Sequence, residues 1–126
     1  MQKFLVILVS LLLSASNLVF FVCGDDDEAR AQSLHTGALE LATAGKEADA
    51  LYDFEEAFEL DPTKFVYAAD LGVAQMRVGL LDEALNTFMS ADELQPGTKL
   101  IQDNLKALQE RLDSQEMQSG GSPEDL

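Results

Sequence analysis

The chain is 126 residues long, with 23 Asp and Glu against 8 Lys and Arg and a formal net charge of −15. That length holds one small domain behind a leader and excludes a multidomain enzyme. The acidic excess argues against nucleic acid and against anionic lipid surfaces, both of which need Lys and Arg, and one Cys, one His and no Trp leave little for metal or nucleophile chemistry.

In residues 1–24 Lys3 is the one charged side chain, and the next charge is Asp25. This pattern predicts a signal peptide removed after Val22-Cys23-Gly24, or earlier near Ser14-Ala15-Ser16. The alternative is an uncleaved signal anchor, because Phe4 to Cys23 at about 1.5 Å per residue just reaches the roughly 30 Å of a hydrocarbon core. Ser10, Ser14, Ser16 and Asn17 lower its hydrophobicity and favour cleavage. Lipid attachment at Cys23 fits less well, since Val22 stands where a small residue is wanted. Residues from Asp25 onward are therefore expected in a secretory lumen or periplasm or outside the cell, with membrane contact only if the leader is retained. The acidic segment 25–30 lacks the spaced ligands and Gly of an EF-hand loop, and it reads as a solvated lead into a helix.

Residues 31–64 and 65–98 align without gaps. Gly45/Gly79, Ala50/Ala84, Leu51/Leu85, Phe54/Phe88, Ala57/Ala91, Glu59/Glu93, Leu60/Leu94 and Pro62/Pro96 are identical. In each copy the Ala, Phe and Ala fall at i, i+4 and i+7, so one helix face carries an aromatic between two small side chains. Small residues permit close helix approach, and the ring fills the space between layers. Gly45 and Gly79 suit a left-handed cap that reverses the first helix, and Pro62 and Pro96 end the second. Helices are predicted at about 28–44, 47–60, 63–78 and 81–94.

These residues resemble tetratricopeptide (TPR) repeats, helix–turn–helix units of about 34 residues. The small–aromatic–small–Pro positions of the pattern are filled in both copies. The first-helix positions hold Leu34, Gly37, Ala38 and Leu41 in one copy and Ala68, Leu71, Gly72 and Gln75 in the other. The family's Trp is missing, and Gln75 replaces its usual aromatic, which predicts looser first-helix packing. The resemblance implies an all-α, right-handed α-solenoid of TPR 1 (31–64) and TPR 2 (65–98). A fifth helix, 99–117, presents Ile101, Leu105, Leu108 and Leu112 on one stripe and is expected to cap the array. Residues 118–126 read as a disordered tail, and Pro123-Glu124-Asp125-Leu126 departs from an ER-retrieval signal.

First helices of TPR arrays line a concave face that takes extended peptides or helices. Carried over by the family's pattern, the contact positions here are His35, Leu39, Ala42, Val66, Ala69, Val73, Met76 and Arg77, with Gln32, Thr43, Leu100, Asp103 and Ala107 beside them. The floor is apolar, with His35 and Arg77 as polar handles and Met76 open to a ligand. The Lys and Asn clamp of chaperone-docking TPRs is absent, because His35, Leu39, Ala69 and Val73 occupy its positions. The expected partner is thus a protein segment that is apolar rather than acidic, with no cofactor, metal, nucleic acid or small-molecule substrate and no catalysis. Two other roles fit the same residues: a substrate-delivery module of a lumenal enzyme, and a homodimer or longer oligomer formed by repeat stacking.

Overall fold

The computed structural model describes residues 26–120; the leader of residues 1–24 lies outside the described residues, as do positions 121–126 of the tail. The repeat becomes two helix hairpins. Helix α1 covers residues 26–43 and α2 is Glu47–Leu60. The second hairpin is α3, Phe65–Val78, with α4, Leu81–Leu94, and α5 is Lys99–Ser119. Described residues 26–30 of the acidic segment are already helical, so they belong to α1 rather than preceding it. Their position is anchored from α2 and from the residue that leads into the next helix. Glu28 accepts a 2.9 Å hydrogen bond from Lys64, and Arg30 pairs with Glu56. The bond to Glu28 and its charge hold the Lys64 ammonium above its ordinary pKa.

The two hairpins close by the same hydrogen bonds. In the first, Gly45 N–H donates to Ala42 O and Lys46 N–H to Leu41 O; in the second, Gly79 N–H donates to Met76 O and Leu80 N–H to Gln75 O. This paired pattern satisfies the last orphan carbonyls of a helix and needs a residue at positive φ. Gly45 (φ 76°) and Gly79 (φ 92°) supply it without the steric cost of a Cβ.

Packing follows the repeated aromatic. α3 lies between α2 and α4, while α5 rests on α4 and touches α3. Phe54 is buried with Ala38, Ala50, Leu71 and Ala74, filling the layer between the first hairpin and α3. One repeat on, Phe88 is buried with Ala68, Ala84, Ala91, Ile101 and Leu108, filling the layer between the second hairpin and α5. Phe58 packs against both groups and joins them. Ile101 and Leu108 are buried and Leu105 and Leu112 half-buried, so the apolar stripe of α5 is the capping contact. Beyond Leu112 every described residue of α5 is exposed, and the helix runs two residues past its expected end.

Gln75 does not loosen the second repeat as expected. It is 7% exposed, and its Oε1 accepts a 2.7 Å hydrogen bond from Thr87 Oγ1 of α4. A buried amide costs little when it is paired, so the missing aromatic is replaced by a polar link between the helices of the hairpin.

Candidate functional site

On the α1–α3 side a notch of about 120 Å³ opens between the two first helices. Leu39 and Ala42 form its α1 wall, and Asp70, Val73, Ala74 and Arg77 its α3 wall. Phe54 reaches it from α2 below, and Glu47 stands at the start of α2. The apolar members project from helix faces set by the buried Ala38 and Leu71, so the core itself orients the walls. The space exceeds the roughly 30 Å³ that one water takes in the liquid and is large enough for one branched aliphatic side chain.

Four of the eight expected contact residues meet here: Leu39, Ala42, Val73 and Arg77. Leu39 is 42% exposed although apolar. The other four stand elsewhere. Val66 is exposed near the start of α3, away from the notch. Ala69 is buried in the core that joins α3, α4 and α5 and does not line the notch. Met76 also packs against that core, and α5 is fastened over its backbone by Arg111, whose Nη1–H donates to Met76 O at 2.7 Å.

His35 is close by but not open. Its side chain is 12% exposed and its Nε2–H donates to Asp70 Oδ2 at 2.6 Å. The carboxylate accepts, so Nε2 carries the proton. The ring lies 4.7 Å from the Tyr67 ring and meets Phe54 edge-on at 5.6 Å. His35 is therefore a strut between α1 and α3 rather than a free polar handle. The sequence offered no partner for it, because Asp70 lies a full repeat away.

The notch wall of α3 overlaps the expected face in part. Val73 and Arg77 line it together with Asp70 and the largely buried Ala74, whereas Ala69 and Met76 do not. The consequence for Met76 is direct. Met76→Glu brings a carboxylate against an apolar core, so it is expected to lower stability by about 1–2 kcal/mol, Arg111 offsetting part of the cost. Thermal unfolding followed by circular dichroism checks this, and an unchanged melting temperature would return Met76 to the open face.

Electrostatics set the rim. Arg77 Nη1–H donates to Glu47 Oε1 at 3.3 Å, while Glu47 Oε2 is buried and accepts no hydrogen bond. Glu47 lies in the first turn of α2, where the helix dipole favours a negative charge. Arg30, Lys64, Arg77 and Lys99 each stand within ion-pair distance of a carboxylate. Among the described residues no group of three His, Cys, Asp or Glu is placed to hold a metal ion, and no described helix is long and apolar enough to cross a membrane.

No protein-family model and no curated protein matches the sequence. Solved structures do. The second TPR domain of human RPAP3, in complex with the HSP70 peptide SGPTIEEVD, aligns with a TM-score of 0.61 at 27% identity, covering 64% of this chain and 68% of that one. The helices take the TPR fold. The Sgt2 TPR domain from Aspergillus fumigatus aligns with a TM-score of 0.65 at 20% identity, over 78% of this chain and 65% of that one. The first TPR of Spaghetti (RPAP3), bound to the HSP90 peptide SRMEEVD, gives 0.63 at 21% identity, over 82% and 92% respectively. At these identities the last two likenesses speak for the fold alone. The TPR solenoid of this chain thus comprises two helix hairpins and a closing α5, with its notch on the first-helix side.

Proposed function

We propose that this TPR domain is a non-catalytic adaptor that holds a segment of another protein, with one apolar side chain seated between α1 and α3. The observation that carries it is the notch of about 120 Å³, walled by Leu39, Ala42, Val73 and Ala74, with the exposed Leu39 at its lip. TPR domains of similar structure bind short chaperone peptides, which supports a peptide as the ligand class. Those peptides end in acidic residues, whereas this chain carries a net charge of −15 and no Lys or Asn clamp. The favoured segment is therefore apolar rather than acidic. With the leader read as a signal peptide, the adaptor works in the secretory pathway or outside the cell.

The test is selection of a displayed random-peptide library on the chain, followed by affinity measurement with the enriched peptides. Enriched peptides should share a Leu-, Ile- or Met-like anchor. Leu39→Glu, at an exposed helix position, should leave melting unchanged and weaken those peptides by about tenfold or more, because a charge replaces an apolar contact. Unchanged affinity in that variant would place the ligand site elsewhere.

A further inference from the structure

The rim of the notch says what should flank the apolar anchor. Glu47 has one oxygen committed to Arg77 at 3.3 Å and a second, buried oxygen that accepts nothing. A third of the Glu47 side chain is exposed, and a carboxylate can accept several hydrogen bonds, so it can take a ligand cation beside Arg77. Asp70 stands across the notch with a third of its side chain exposed, its Oδ2 already held by His35. The one cation lining this notch, Arg77, is paired with Glu47, so its charge is balanced before a ligand arrives. The chain as a whole carries a net charge of −15.

We infer that the ligand segment is basic as well as apolar: a Lys or Arg adjacent to the anchor side chain pairs with the part-exposed carboxylates of Glu47 and Asp70 at the rim, with the chain's acidic excess drawing the segment in. This rests on the reading of the notch as the binding site. It assigns the site a preference opposite in charge to the acidic-ended peptides seen on the similar TPR domains. Arg77 then acts as an internal competitor. It pairs with Glu47 Oε1 in the free domain, and it swings away or shares the carboxylate when a ligand cation arrives. Long-range attraction of this kind weakens as salt shortens the Debye length, from about 10 Å at 0.1 M to about 3 Å at 1 M.

The experiment uses the random-peptide library on the full chain and on two variants, Glu47→Gln and Arg77→Gln, each checked for folding by circular dichroism. Peptides enriched on the unaltered chain should carry Lys or Arg at a fixed spacing from the anchor and lose affinity as salt is raised. Glu47→Gln should reduce their affinity by about tenfold, the scale of one charge-assisted hydrogen bond, and Arg77→Gln should raise it. Peptides that keep an apolar anchor without a basic neighbour would overturn this inference and leave the notch reading intact. Acidic peptides, weakened by Arg77→Gln, would overturn it by making Arg77 the ligand-gripping group. Failure to enrich any peptide would overturn both.

Discussion

Phe88→Ala should remove about 3–5 kcal/mol of stability, most of what a domain of this size holds. Phe88 has no exposed surface, and it fills the layer between α4 and α5 together with Ala84, Ala91, Ile101 and Leu108. The small alanines that allow the ring to enter cannot grow to fill the space it leaves. Its loss also removes the contact that seats α5. At about 4–8 °C per kcal/mol for a domain of this length, the melting temperature should fall by roughly 12–40 °C. Phe88→Leu, which keeps most of the volume, should cost about 1 kcal/mol. Urea and thermal unfolding of both variants test the ordering, and equal melting of Phe88→Ala and the unaltered chain would contradict the packing.

The second large effect is at Gly72, on the same ring. A Cβ at this position would lie 2.6 Å from Phe88 Cε1, 2.8 Å from Cδ1 and 2.9 Å from Cζ. These atoms belong to a fully buried ring with no free direction in which to move. Alanine ordinarily gains about 0.8–1.0 kcal/mol over glycine inside a helix. Overpacking costs about 1–3 kcal/mol, so Gly72→Ala should come out destabilising by about 1–2 kcal/mol. In a Phe88→Leu background the obstacle is gone, and the same substitution should become neutral or stabilising. A double-mutant cycle measures the difference, with an expected coupling of about 1–2 kcal/mol. Additive effects would mean that Gly72 and Phe88 do not meet.

Much of this fold was legible because the repeat states its own packing. Phe54 and Phe88, each between two alanines at helical spacing, announced the buried layers, and Gly45 and Gly79 announced the hairpin turns. Of the contact positions expected from the first-helix pattern, Leu39, Ala42, Val73 and Arg77 line the notch. Ala69 and Met76 pack instead against the core that Ile101 and Leu108 of α5 complete. α5 lacks the repeat signature, so its docking angle is not written in the alignment. His35 with Asp70 and Gln75 with Thr87 are polar pairs between different helices, to which local spacing gives no clue. Glu47 was missed for a further reason. It starts a second helix, whereas the family pattern directs attention to first helices.

The most direct measurement is methyl and amide chemical-shift mapping of the full chain, titrated with a peptide enriched from the library. The account predicts that Leu39, Ala42, Val73 and Ala74 shift together with Arg77, while Ile101 and Leu108 in the capping layer stay still. Shifts confined to the opposite surface, at Tyr52, Glu55 and Glu59 of α2, would contradict it and move the binding face to the convex side.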